Sequence, residues 1–269
     1  MKNKALIILL LLIGLFSNAQ QAFFRGSNNY VAPVGTNQVL PVITSGLVLN
    51  LDAGNSASYS GTGTIWSDLS GNGYNGTLTN GPTFVSGNGG SLVFDGVDDV
   101  TTFGNILNIG LSSWTMSCWV KFNGGSGTQG IIGKTSYRAY DGRYTIYIEN
   151  NNIGTFFQPN SVYMITTPIT PYLDNKFHNL VMTIDRSSMM YFYIDGISKG
   201  TPLNVSSTSG INLNTSTDNF YVGSYATNTG LNPAFFFNGN LGQASIYNRA
   251  LTVAEVLQNF NSTKVRFGL

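Results

Sequence analysis

The stretch His178-Asn-Leu-Val-Met-Thr-Ile-Asp185, followed by Met189-Met-Tyr-Phe-Tyr-Ile-Asp195, decides the fold. In the first run Leu180, Met182 and Ile184 fall on every second position. In the second run Met190, Phe192 and Ile194 do the same, with Tyr191 and Tyr193 opposite. A period of two is the signature of strands with one face buried. Asp195-Gly196 then supplies a hairpin turn, because glycine takes a positive φ without a Cβ clash.

Working outward, the same pattern recurs. Trp114 to Phe122 places Trp114, Met116, Cys118, Val120 and Phe122 on one face, and Thr115, Ser117, Trp119 and Lys121 on the other. Gly46 to Leu51, Ser91 to Phe94, Tyr144 to Glu149, Asn219 to Gly223 and Gly239 to Tyr247 complete the expected strands, with Gly, Asn, Ser and Asp clusters between them. One helix is expected. Thr252-Val-Ala-Glu255 is a capping box, and Val253, Val256, Leu257 and Phe260 form an apolar stripe down to Asn259 or Asn261. Many short strands, turn chemistry between them and one short helix predict an all-β, two-sheet antiparallel sandwich.

Composition narrows the function. Of 269 residues only 9% are charged, against the usual ~25%. There are 13 basic and 12 acidic groups, a net charge of +1, which lacks the clustered Lys and Arg of a nucleic-acid binder. One His and one Cys exclude a His/Cys zinc site and an internal disulfide. Met1 to Ala19 reads as a secretory signal peptide. Lys2 and Lys4 precede a twelve-residue apolar run, Ala5 to Phe16, with small Ser17 and Ala19 before a cut at Gln20. Such a run falls short of the ~20 residues a spanning helix needs. The expectation is therefore a secreted protein with no membrane span in its mature form. Its organisation would be a signal at 1–19, a tail at 20–45 serving as a linker or a clip, and one domain at 46–269.

An ordered set of segments then resembles a known family. Gly46-Leu-Val-Leu-Asn-Leu-Asp52 is followed by Trp66-Ser-Asp-Leu-Ser-Gly-Asn-Gly-Tyr-Asn-Gly-Thr77 and Ser91-Leu-Val-Phe-Asp-Gly-Val-Asp-Asp99. Trp114 to Phe122, Phe177 to Asp185 and Tyr191 to Gly196 come next, and Phe237 to Leu251 closes the series. The set is similar to laminin-G-like, concanavalin A-like jelly-roll domains, closest to their secreted bacterial and phage-associated branch. The resemblance implies a jelly roll that binds carbohydrate or a surface protein, often with calcium. Fold does not settle activity, since some relatives are glycosidases.

The residues favour binding over catalysis. Glycoside hydrolysis needs two carboxyl groups across the scissile bond. The chain has two Glu: Glu255 belongs to the capping box, and Glu149 ends a strand at an Asn150-Asn151-Asn152 turn. His178 is read as a structural group at the start of its strand, and Cys118 as a buried, inert thiol. The ligand site is expected in the loop region holding Tyr137, Arg138, Tyr140, Asp141 and Arg143, where rings can stack on sugar faces beside hydrogen-bonding groups. Trp66, Tyr74, Tyr225 and Asn75 are further loop candidates, with Trp66 at the core or rim. Phe235-Phe236-Phe237 is expected to be core. Asp98 and Asp99 are the candidate calcium ligands, in the position where pentraxin-like domains carry such residues. A second calcium site of the family is expected to be lost or much weakened, because Gly242 and Gln243 replace an acidic pair. The leading expectation is a non-enzymatic module for a glycan or surface partner. A structural or particle-decoration role is the alternative, and a glycosidase the remaining one.

Overall fold

A computed structural model describes residues 40–135, 142–214, 218–226 and 232–269. Among these, the strands are β1 (Leu47–Asp52), β2 (Ile65–Trp66), β3 (Gly76–Thr79), β4 (Thr83–Val85), β5 (Ser91–Asp95), β6 (Val100–Thr102), β7 (Trp114–Phe122), β8 (Thr128–Lys134) and β9 (Arg143–Glu149). They continue as β10 (Asn152–Gln158), β11 (Tyr163–Pro168), β12 (His178–Ile184), β13 (Met189–Ile194), β14 (Ile197–Asn204), β15 (Phe220–Val222), β16 (Tyr225–Ala226), β17 (Pro233–Ala234) and β18 (Asn238–Tyr247). One helix, α1 (Val253–Thr263), closes the order.

Two antiparallel sheets form the sandwich. The first runs β14-β13-β12-β7-β18-β5-β4, with β1 also paired to β18. The second runs β11-β10-β9-β8-β15-β6-β3-β2, and β16-β17 make a separate ribbon. Neighbours far apart in sequence, such as β7 between β12 and β18, mark a jelly-roll type of order. The core between the sheets is the one the alternation predicts. Trp114, Met116, Cys118, Val120 and Phe122 from the first sheet meet Tyr144, Ile146, Ile148, Ile153 and Phe157 from the second. Trp114 is wedged between Tyr144 at 5.4 Å and Phe157 at 5.0 Å. Each such ring removes a large apolar area from water, about 1.5–3 kcal/mol apiece.

The opposite face of the first sheet is covered by its own chain. Thr252 Oγ1 accepts from the Glu255 amide at 3.3 Å, and the Glu255 carboxylate accepts from the Thr252 amide at 2.9 Å, so the expected capping box is present. The same carboxylate takes both Arg249 guanidinium nitrogens at 2.8 Å. The helix then lays Val256 on Val181, Tyr193 and Tyr247. Trp119 stacks on Phe260 at 5.8 Å and on Phe267 at 4.4 Å, and its ring N–H donates to Thr263 Oγ1 at 3.0 Å. Arg266 locks this end down by donating to both Asp52 carboxylate oxygens and to Gly89 O. The helix runs past the asparagines that were expected to end it. Asn259 turns its side chain towards the sheet, accepting from the Ile43 amide at 2.8 Å and donating to the Tyr247 hydroxyl at 3.1 Å, and Asn261 accepts from Lys264.

The end of the expected tail is therefore a clip. Leu40 O and Pro41 O accept from Ser262 and Gln258 of α1, and Ile43 is held by Asn259 below and Tyr247 OH, which donates to Ile43 O at 3.0 Å. The expected signal segment, 1–19, and the rest of the tail up to 39 lie outside the described residues. No helix among the described residues is long and apolar enough to cross a membrane.

Candidate functional site

Among the described residues, the second sheet has no such cover over β9, β10 and β11. These strands are joined by consecutive connections, and the β9–β10 turn fixes their register. Asn150 and Asn151 both adopt positive φ, 51° and 61°, the pair that a two-residue type I′ hairpin demands. Tyr147 thereby lies opposite Gly154, and Arg143 opposite Gln158. Residues of one parity point into the core; those of the other line an open groove of about 280 Å³.

The groove is built from Thr128, Arg143, Tyr147, Glu149, Phe156, Gln158, Val162, Met164 and Tyr225. The Arg143 guanidinium lies 5.3 Å over the Phe156 ring and donates to Gln158 Oε1, while its Nε is buried with no protein partner. The Tyr147 ring meets Phe156 edge-on at 6.3 Å, and its hydroxyl donates to Met164 Sδ. Burial, with the nearby Glu149 charge behind it, pushes the Tyr147 hydroxyl far above its ordinary pKa, so it remains a neutral hydrogen-bonding group. Val162 and Met164 are 55% and 46% exposed along one wall.

Tyr225 reaches the other wall because β8 carries a glycine. A Cβ on Gly130 would lie 2.2 Å from the backbone of Ser224 and Tyr225, so only glycine lets that segment lie on the sheet. Glu149 is the groove's one carboxylate among the described residues. The arrangement offers aromatic and thioether surfaces, an amide, a hydroxyl and one charge of each sign. Such a surface suits a ligand with apolar faces and hydroxyl edges.

Among the expected site residues, the structure places Arg143 in the groove. Tyr137, Arg138, Tyr140 and Asp141 lie outside the described residues. Trp66 is fully buried in the core, Tyr74 packs against that core, and Tyr225 stands on β16, mostly buried. The Phe235-Phe236-Phe237 expectation needs correction. Phe237 is fully buried, but Phe235 is 40% exposed, because a positive φ of 51° turns it away from the interior.

Sequence reasoning missed Tyr147, Phe156, Gln158 and Met164. The usable signal was parity. Phe156 and Phe157 are adjacent, so on a strand they cannot share a face.

Asp98 and Asp99 do come together, with Asp95. One carboxylate oxygen from each lies within 4.8 Å of the others. Asp99 is buried, which raises its pKa, and the charges of Asp95 and Asp98 add to the rise. Asp95 Oδ1 accepts from the Val97 amide at 2.8 Å and holds the Asp95 carboxyl below its ordinary pKa. Three carboxylates fit a hard divalent cation with water completing its shell, since calcium takes six to eight oxygens. Gly242 lies under the Phe267 ring and Gln243 pairs with Asp52 across β1–β18, while Asp52 is engaged by Arg266.

His178 is a buried structural group. Asp195 lies 2.7 Å from its Nδ1 and Asp174 3.1 Å from its Nε2. Burial alone would lower its pKa, but the two carboxylates outweigh it and the net shift is upward. Cys118 is buried in the core, and burial pushes its thiol up, which leaves it unreactive.

A two-sheet antiparallel sandwich with this strand order is a jelly roll. A family model described as the concanavalin A-like lectin/glucanases superfamily matches residues 94–257, more than half the chain, and the chain belongs to that superfamily. No curated protein matches it.

Among solved structures, the chain is similar to the binding domain of botulinum neurotoxin DC in complex with rat synaptotagmin II. The TM-score is 0.61 at 18% identity, covering 82% of this chain and 52% of that one. It is similar to the binding domain of Paraclostridial Mosquitocidal Protein 1 at a TM-score of 0.61 and 18% identity, covering 81% and 52%. A third similar structure carries the description that cell entry of botulinum neurotoxin type C depends on interaction with two ganglioside molecules (TM-score 0.58, 17% identity, 81% and 51%). The chain spans about half the length of these solved chains, and at such identity the likeness is one of fold.

Proposed function

We propose that this protein is a secreted, non-enzymatic recognition module that binds a surface glycan in the groove over β9–β11. The observation that carries the reading is the Arg143–Phe156–Tyr147 constellation: a cation and two rings on a face that no part of the described chain covers. Sugars present C–H faces that stack on rings and hydroxyls that accept from guanidinium and amide groups. The single groove carboxylate, Glu149, supports binding rather than hydrolysis, which uses a pair. The descriptions of the similar toxin domains name a ganglioside and a synaptotagmin, which is consistent with a partner at a cell surface.

The test is a glycan array probed with wild type and Arg143→Ala. The expected result is binding to a restricted set of glycans, weakened at least tenfold by the substitution. Signal no higher than background for the wild type would overturn the glycan reading.

Asp95, Asp98 and Asp99 are assigned a weakly held calcium ion in the same proposal, one that lowers their mutual repulsion. Melting temperatures in excess EDTA and in excess calcium check it. Equal values would leave the cluster with a turn-forming role only.

A further inference from the structure

The chain has six methionines, and five of them lie among the described residues. Met116, Met182 and Met190 are fully buried between the sheets, and Met189 is half-buried at the start of β13. Met164 stands apart. It is 46% exposed on β11, an edge strand of the second sheet, and its side chain forms part of the groove wall. A thioether is oxidised where an oxidant can reach its sulfur, so burial protects the other sulfurs, the Cys118 thiol included.

The surroundings of Met164 make its oxidation consequential. The β10–β11 register sets it directly opposite Phe156, the ring that Arg143 covers and Tyr147 meets edge-on. The Tyr147 hydroxyl donates to Met164 Sδ, which leaves the sulfur a second lone pair. Burial keeps that hydroxyl protonated, so it remains a donor. Val162, two residues earlier on the same wall, is itself exposed and leaves the approach to the sulfur open. A thioether is a weak acceptor and a good neighbour for a ring. A sulfoxide is polar and chiral, and its oxygen is a far stronger acceptor. A hydroxyl already aimed at the sulfur is placed to pass to that oxygen. The Arg143 Nε, buried with no protein partner, is a second donor beside the same ring.

We propose that Met164 is a modification site: a peroxide converts its thioether to the sulfoxide, and the oxidised wall weakens ligand binding in the groove. The step balances between the two reactants. The sulfur attacks one peroxide oxygen and gives up two electrons, an S–O bond forms as the O–O bond breaks, and the other oxygen leaves as water with both peroxide protons. The new oxygen then engages the Tyr147 hydroxyl and sets a polar atom against Phe156, so it competes with a ligand for both groups. The loss of binding rests on the glycan reading of the groove; the modification does not. A sulfur–ring contact of this kind is worth about two- to tenfold in affinity.

The experiment treats the full chain with graded hydrogen peroxide and locates the added oxygen by peptide mass spectrometry. Wild type and Met164→Leu are then titrated, before and after treatment, with a glycan that the array identifies. Leucine keeps an apolar wall of similar volume and has no sulfur. Met164 is expected to gain oxygen before Met116, Met182, Met189 or Met190. Wild-type affinity is expected to fall about two- to tenfold on oxidation. Methionine sulfoxide reductases for both epimers should restore it, and the affinity of Met164→Leu should not respond to peroxide. Oxidation that begins at another methionine would overturn the site. Equal affinity before and after full oxidation of Met164 would overturn its effect on the groove and leave the glycan reading intact. Absence of binding by untreated wild type would overturn the glycan reading and with it the loss of binding, while the mass map still supports or overturns Met164 as the oxidised residue.

Discussion

The two outer faces of the sandwich begin from similar chemistry and end differently. On the first sheet the outward parity carries Trp119, Tyr191 and Tyr193; on the second it carries Tyr147 and Phe156. The first set is roofed by α1 and the C-terminal Phe267, which bury Trp119 between stacked rings. The second set is left facing a groove whose walls are Tyr225 and Met164. Rings on a strand's outer face do not by themselves mark a site. What marks it is whether the chain supplies its own cover, and here α1 lies on the other side.

The comparison can be broken or sharpened by substitution. The largest effect is expected for Trp119→Ala on the roofed face. It removes the ring that Phe260 and Phe267 stack upon, and should cost about 3–5 kcal/mol in chemical denaturation while leaving glycan affinity in the groove unchanged. Phe156→Ala on the open face should do the reverse, with a loss of binding greater than tenfold and a stability cost nearer ~1 kcal/mol. If the two variants change stability alike, the distinction between the faces fails.

Glu255→Gln tests the roof at its anchor. It removes the bidentate Arg249 pair and weakens the capping box, at a cost of about 1–2 kcal/mol. The Arg249 hydrogen bonds first, and the Thr252 amide after them, hold the Glu255 carboxyl down to about 2. The wild-type advantage over this variant should therefore be present at neutral pH and vanish as pH falls from 4.5 towards 2.

The smallest effect belongs to His178. Its pKa is raised on folding, so its contribution is full below the ordinary value of 6.5 and fades as pH climbs above it. A plot of melting temperature against pH should fall more steeply for wild type than for His178→Gln in that window. Parallel curves would mean that the Asp174 and Asp195 contacts contribute no pH-dependent stability.

Much of the frame was legible in the sequence, and its limits are physical. β7, β12 and β13 alternate cleanly because only one of their faces meets the core. The α1 start was legible because a capping box is a local, four-residue signal. β8 and β10 were not, since Gly130, Gly133 and Gly154 interrupt their pattern where neighbouring backbone comes close; β11 was not, since it is an edge strand with one buried residue, Ile165. The Asp95–Asp99 cluster was visible because its members are neighbours in sequence. The groove was not, beyond Arg143 and Tyr225: its residues come from β8, β9, β10, β11 and β16, and the register set by the Asn150-Asn151 turn brings those of β9 and β10 together.

The clip of residues 40–43 on α1 has a mechanical meaning. Residues 40–43 lie on the roofed side of the sandwich, across the core from the groove. A pull applied at Leu40 while the groove holds a ligand would first load the bonds to Ser262, Gln258 and Asn259 rather than a strand of the second sheet. The clip would then act as a shock absorber in series with the grip, giving up length under tension while the gripping surface keeps its shape.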